Sequence, residues 1–300
     1  MIKSFSALKK ALEEATRRPK MAKMAVLYPT QPKYLNAIGK AAEKKYIDPI
    51  LIGPKDRIEK ALSKTPYPAG KFEIINASNL EQSLTAAINT KPDCLMKGEI
   101  TSRKFAEALY DPIYDFSMNG RLMTHIGVVK VKGYKRFMLI TDGAVHSGPN
   151  PARKIQIVQN AAVLAGRLGN ENPKAALLAA VEAIYPAVPV TMEEAAIAKM
   201  SDRGQFKDVV IDGPLSFDCA IDKKVAKAKG LSNSKVAGQA DIFAMPSIET
   251  ANGTYKAMVM YAGAEGGCLL YGGMIPIASP YTVDNEKNIL NAIMLAAYLA

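Results

Sequence analysis

The chain has 300 residues, of which 49% are hydrophobic, and a formal net charge of +11. These are the proportions of an ordinary packed globular protein with one large domain or two, and no apolar run is long enough to span a bilayer. With only two histidines, His125 and His146, and no paired cysteine motif, the sequence argues against a metal site.

The N-terminal segment places Phe5, Leu8, Leu12 and Ala15 on one helical face. Charges interrupt it too often for a signal-peptide core. Cys94, Cys219 and Cys268 lie far apart in sequence and read as reduced, buried thiols of a cytoplasmic protein. The lysines are spread along helix faces instead of forming one basic tract. A solvated basic surface is the first reading of the charge, a polyanionic small-molecule ligand the second. Nucleic acid ranks last, because no aromatic-interleaved basic motif or known binding module appears.

Apolar runs and amphipathic helices alternate along the chain. "KMAVLYP" (23–29) reads as a strand, followed by a helix over 33–45, the strand "DPILIGP" (48–54) and a short helix opened by Pro54. "FEIINA" and "DCLMKG" are further strands, each followed by a helix, the second capped by Thr101 or Ser102. Between Arg121 and Ile140 two extended segments flank Lys132-Gly133, the pattern of a hairpin. A helix then runs from Asn150-Pro151 to near Gly169. "KAALLAAV" reads as a strand, and Thr191 with Glu194 reads as a capping box for a helix closed by Gly204. "DVVIDGP", "DIFAMP" and "GCLLYGG" are three more buried strands.

The expected fold class is therefore α/β: two α/β/α domains with mostly parallel sheets and an interdomain cleft. The boundaries expected are 1–140 plus 276–300 for the first domain and 141–275 for the second. Ligands of open α/β sheets bind beyond the carboxyl ends of the strands. That rule singles out Lys97-Gly98, Asp142-Gly143, Asp212 to Pro214, Pro246 to Asn252, and the stretch "YGGMIPIASPYTVDN" (271–285). The last has two glycines after a strand, and Thr282 with Asp284 where a C-terminal helix would be capped. This is an arrangement suited to phosphate, yet it contains neither Lys nor Arg.

The post-strand segments "LMKG" (95–98), "GRLMTHIGV" (120–128), "DGPLSFDCAI" (212–221) and "ADIFAMPSIETANGTYKAM" (240–258) resemble those of the phosphate acetyl/butyryltransferases. So do "KIQIVQNAA" and "AKMSDRGQ". The likeness runs in order over nearly the whole chain and is nearest the butyryl branch. It implies an isocitrate/isopropylmalate dehydrogenase-like fold, a homodimer, and acyl transfer between coenzyme A and phosphate. It also implies no metal or prosthetic group, coenzyme A being a substrate. Aligned on Pro276-Ile277, the family's Ser-Arg pair falls on Tyr281-Thr282, and Asp284 matches an acidic residue of the butyryl branch. A second family Arg falls on Glu107 and a third is kept as Arg136. The acid after the family's Pro is Ser247, with Glu249 and Asn252 retained.

The resemblance implies Tyr281, Thr282, Asp284 and Asn252 as the catalytic set. Lys97, Arg136, Asp142, His146, Pro246 and Glu249 are then expected to contact coenzyme A or its acyl and phosphate groups. For several of these residues two readings stand side by side. Lys97 suits phosphate or pantetheine, or is a lysine at a strand end. Asp142 and His146 serve acid–base chemistry or cap a loop. Tyr281 donates to an oxyanion or fills space, while Asn252 and Lys256 share a helix face. His125 reads as structural. Because Arg and Thr are not interchangeable at an anion site, the alternative is a catalytically diverged coenzyme A or acyl-CoA binding protein. If phosphate is still bound, a cation must come from elsewhere. The order of expectation is Lys97, Arg136 and Arg153, with Arg103 and Arg121 also eligible. Arg103 is spaced to pair with Glu107.

Overall fold

The computed structural model describes residues 1–15, 21–114, 116–117 and 122–300. In chain order α1 (Phe5–Ala15) precedes β1 (Ala22–Leu27), α2 (Pro32–Glu43), β2 (Ile47–Gly53), α3 (Lys55–Leu62) and β3 (Glu73–Asn76). Next come α4 (Leu80–Asn89), β4 (Cys94–Lys97), α5 (Ser102–Leu109), β5 (Thr124–Lys130), β6 (Met138–Thr141), α6 (Pro151–Arg167) and β7 (Lys174–Leu178). The chain continues through α7 (Pro189–Asp202), β8 (Val210–Leu215), α8 (Phe217–Ile221), α9 (Lys223–Ala228), β9 (Ile242–Ala244) and α10 (Ile248–Met260). It ends with β10 (Glu265–Tyr271), β11 (Ile277–Ala278) and α11 (Glu286–Leu299).

Two compact units result: residues 4–123 with 265–300, and residues 1–3 with 124–264. The divisions fall at 123/124 and 264/265, not at the expected 140/141 and 275/276. Strand pairing is the reason. β5 and β6 form an antiparallel ladder with Val128 opposite Leu139, and β6 continues into a parallel pair with β9, so the whole hairpin belongs to the second unit. β10 pairs with β11, and β11 runs parallel to β4, which keeps the apolar run at 265–271 with the first unit.

In the first unit the strand order is β3-β2-β1-β4-β11-β10, parallel except for the β10–β11 pair. β4 is buried along its full length, as a central parallel strand covered on both faces should be. α11 packs on β10 and α2, while Phe5, Leu8 and Leu12 of α1 are buried as the periodicity required. In the second unit the order is β5-β6-β9-β7-β8, with only β5–β6 antiparallel. Gly133 turns the hairpin with φ 87°, a conformation most side chains resist.

Two local expectations give way. Thr191 and Glu194 form no capping box, because Pro189 opens α7 two residues before Thr191. The Thr191 hydroxyl instead bonds the carbonyls of Tyr185 and Val188 at 3.0 and 2.8 Å. Glu194 is buried, with one oxygen 3.9 Å from Lys154 Nζ and the other without a hydrogen-bond partner. At the C-terminus neither Thr282 nor Asp284 caps α11. Asn285 does, its side chain accepting from the Asn288 N–H at 3.0 Å.

Candidate functional site

The carboxyl ends of the parallel strands gather the candidate residues in both units. In the first unit β1, β4 and β11 end side by side. Leu27 pairs with Lys97, and Leu95 and Met96 pair with Ile277 and Ala278, which brings Lys97 level with Ser279. The turn after β4 is close-packed: the Gly98 N–H donates to Leu27 O and the Glu99 N–H to Tyr28 O, both at 2.8 Å. A Cβ on Gly98 would lie 2.3 Å from Tyr28 O, so only glycine fits there. Lys97 is 6% exposed and donates to the Ile100 carbonyl at 2.9 Å. Desolvation lowers its ammonium to about 8.

β11 was not legible as a strand, and it anchors the loop in which the resemblance puts the catalytic pair. Beyond it Tyr281 is buried and its N–H donates to Asp284 Oδ2 at 2.8 Å. Asp284 Oδ1 accepts from Asn288 Nδ2 at 3.2 Å, so both carboxylate oxygens hold the loop onto α11. Thr282 stands exposed. The loop has a cation after all, and it comes from α2. Lys33 Nζ lies 2.5 Å from the Thr282 carbonyl and 3.2 Å from that of Asp284.

Lys33 was absent from the ranked candidates, although the sequence carried a signal. Pro32 opens α2, so Lys33 falls in the first helical turn. There the helix dipole disfavours a positive charge, and a cation so placed calls for acceptors. Beside it Glu99 accepts from Thr30 Oγ1 and from Gln31 Nε2 at 2.7 Å, and pairs with Arg57 at 3.3 Å. The Thr30 hydrogen bond leads the effects that hold this carboxyl below the usual range. Burial, assisted by Glu99 and Asp284, pushes the Tyr34 phenol up to about 12. Arg103 pairs with Glu107 at 2.9 Å as its spacing required. Arg121 lies outside the described residues.

In the second unit Asp142 follows β6 and is buried. It accepts backbone N–H bonds from His125 at 3.1 Å and from Ala144 and Val145 at 2.9 Å. His146 Nε2 is 3.9 Å away. Burial pushes the Asp142 carboxyl up, and the three N–H donors and His146 offset only part of that rise. Asp142 therefore builds its own loop. Asn252, on α10, donates to Gly143 O at 3.1 Å and ties the helix to that loop, while Lys256 follows one turn on. Ser247 caps α10 by accepting from the Thr250 N–H at 3.4 Å. Its hydroxyl also holds the exposed Glu249 carboxyl below the usual range. Pro246 lines a cavity of ≈ 550 Å³ with Leu178, Phe217, Met245, Thr250 and Thr254. This mostly apolar cavity is formed at the ends of β7, β8 and β9.

Arg136 does not join this group. It precedes β6 whereas Asp142 follows it, a separation of roughly 20 Å of extended chain. Its guanidinium is 2.9 Å from Asp241 and donates to Gln239 O at 3.2 Å. Arg153 is exposed in the first turn of α6. Glu182, Asp218 and Cys219 form the one grouping among the described residues with metal-ligand spacing. The Lys229 ammonium sits 3.0 Å from Glu182 and 3.2 Å from Asp218 and pairs with both carboxylates.

The sequence pattern of the phosphate acetyl/butaryl transferase family matches residues 82–297. The phosphate butyryltransferase of Clostridium acetobutylicum is 34% identical over 304 aligned positions, covering 100% of this chain and 99% of that protein. The phosphate acetyltransferase of Thermotoga maritima is 31% identical, covering 98% of this chain and 99% of its own length. Among solved structures, a branched-chain phosphotransacylase from Enterococcus faecalis V583 superposes with a TM-score of 0.80 at 22% identity. It covers 93% of this chain and 99% of that one. A phosphotransacetylase from Streptococcus pyogenes gives 0.77 at 20% identity, with 98% of each chain covered. The chain belongs to the phosphate acetyl/butaryl transferase family.

Proposed function

We propose that the protein transfers a short acyl group between coenzyme A and phosphate. The carrying observation is the end-to-end match to phosphate butyryl- and acetyltransferases. In the forward reaction a phosphate oxygen attacks the thioester carbon and the carbonyl oxygen gains the charge. The C–S bond then breaks, leaving acyl phosphate and the coenzyme A thiolate, which takes up a proton. Such a reaction needs an anion held, an oxyanion stabilised and a thiolate tolerated as leaving group. The first unit's edge offers the ammonium groups of Lys33 and Lys97 for phosphate. The apolar cavity of the second unit suits the acyl chain, with Thr250 and Thr254 as its polar edge. Tyr281, Thr282, Asp284 and Asn252 are assigned to the reacting end, with Asp284 and Asn252 acting by holding their loops. Lys97, His146, Pro246 and Glu249 are assigned to the substrates.

The chemistry requires no metal or prosthetic group. A homodimer is part of the proposal: Ile184, Tyr185, Met260 and Tyr261 of the second unit are exposed apolar side chains that a second copy would cover. Three free buried cysteines fit a cytoplasmic setting, and no described helix is long and apolar enough to cross a membrane.

The test is thiol release from acetyl-, propionyl- and butyryl-CoA with phosphate present. Turnover with at least one is expected, and rates no better than buffer with all three remove the proposal. Thr282 at the family's Arg position favours a second reading, a coenzyme A binding protein without phosphate-dependent chemistry. Calorimetric binding of coenzyme A without turnover would select it. Activity gained by combining Tyr281→Ser, Thr282→Arg and Glu107→Arg would show which groups had been lost.

A further inference from the structure

We infer that Lys33 is the phosphate-binding cation of this protein, standing in from α2 for the charge that the 279–284 loop does not carry. The inference rests on the acyltransferase reading and deepens it. The stretch 271–285 contains no Lys or Arg. Lys33 Nζ nevertheless lies 2.5 Å from Thr282 O and 3.2 Å from Asp284 O. An ammonium has three N–H donors. Two are directed to these carbonyls; Nζ also lies 5.3 Å from the centroid of the Tyr34 ring, and the third N–H would turn from that ring to an oxyanion.

The neighbouring carboxylates already have partners, although Glu99 also feels the Lys33 charge. Both Asp284 carboxylate oxygens are engaged, by the Tyr281 N–H and by Asn288 Nδ2, and Glu99 is countered by Arg57 at 3.3 Å. Lys97 stands level with Ser279 as a second ammonium at the same strand ends. Thr282 itself is exposed beside the Lys33 contact, so its hydroxyl is accessible to the same ligand. A lysine gives a point charge where an arginine gives a planar fork. The phosphoryl group is then held by charge and less by orientation, and the penalty falls mainly on the binding of inorganic phosphate.

The experiment separates charge from clamp. Lys33→Gln can still donate to the Thr282 carbonyl but removes the charge, whereas Lys33→Met removes both. With Lys33→Gln the KM for phosphate is expected to rise about tenfold, while the KM for acyl-CoA stays within about twofold. Lys33→Arg keeps the wild-type values, and Lys44→Met, at the other end of α2, controls for net charge. Adding Thr282→Arg to Lys33→Gln is expected to restore phosphate affinity, because the loop then carries its own cation. An unchanged phosphate KM in Lys33→Gln overturns the inference, as do equal rises for both substrates or no rescue by Thr282→Arg.

Calorimetry with inorganic phosphate, on wild type and Lys33→Gln, keeps this separate from the activity itself. A wild type that binds phosphate through Lys33 without turning over acyl-CoA defeats the acyltransferase reading alone. A wild type that binds no phosphate defeats the inference about Lys33.

Discussion

The two units end their parallel strands in opposite chemistry. At the edge of the first, Lys33, Glu99 and Arg57 form a charged cluster, with Lys97 at the end of β4, and peptide carbonyls accept from both lysines. At the edge of the second, buried Asp142 is satisfied by three backbone N–H groups, Glu182 and Asp218 are paired with Lys229, and the open space beside α10 is lined mainly by hydrocarbon. The same construction therefore ends in charged groups in one place and in an apolar cavity in the other, which is what the proposed function would use for phosphate and for the acyl chain. The difference comes from the few residues after each strand, since strand order and pairing follow the same parallel rule.

The sharpest way to break the contrast is at Gly98. Gly98→Ala forces a Cβ against Tyr28 O and Leu27 O, both backbone atoms that cannot swing aside. A loss of about 3 kcal/mol or more in denaturant titrations is expected. Slowed exchange protection should be lost first in β1 and β4, while the second unit keeps its own. Uniform loss across both units would show that the two edges are not independent.

Titration sharpens it next, because the two units should respond to pH with opposite signs. Lys97 has a folded value of about 8 against 10.5 for the free side chain. Between these values the unfolded chain holds more protons, so stability rises with pH, by up to about 3 kcal/mol. Lys97→Met should flatten that slope, stabilise the protein at neutral pH and abolish turnover. Glu194 behaves the other way. Burial raises it to about 8 from 4.5, although Lys154 pulls it down. Stability is fullest below 4.5 and is lost as pH rises toward 8, on the order of 2 kcal/mol given the Lys154 pairing. Glu194→Gln should remove this slope and leave the alkaline one intact. Survival of the alkaline slope in Lys97→Met, or of the slope between 4.5 and 8 in Glu194→Gln, would sink the assignment.

Smaller effects are expected at the cavity and at the surface. Ala257→Phe fills space near Thr254 and should lower butyryl-CoA turnover about tenfold more than acetyl-CoA turnover, at little change in melting temperature. Equal loss for both would place the acyl chain elsewhere. Arg103→Ala breaks only an exposed pair and should leave stability unaltered within error.

Much of this was legible in the residues, and what was not has physical reasons. Short apolar runs bounded by Gly and Pro marked the strands because parallel strands are buried on both faces. The hairpin around Gly133 was marked by its turn. β11 escaped because two residues, Ile277-Ala278, carry no periodicity, and only pairing with β4 and β10 makes them a strand. The Thr191–Glu194 pattern misled because a proline upstream had already opened the helix. Arg136 is close in sequence to Asp142, but an extended segment carries its two ends apart. Lys33 escaped for the opposite reason: 249 positions separate it from Thr282, and a contact of that range leaves no local pattern. Family resemblance located the loop, but could not say which distant side chain would reach it.

The grip of Lys33 on that loop is made to peptide oxygens, which every amino acid carries. Exchanges at Thr282 or Val283 leave the contact in place, so long as the turn between Tyr281 and Asp284 survives. The loop can thus drift through many sequences without losing its charge. The evolutionary constraint then falls on one lysine in a helix far away in sequence, and on the aspartate that shapes the turn. A lineage that acquired this contact could discard an arginine from the loop by neutral steps, and regain one later without passing through an uncharged site.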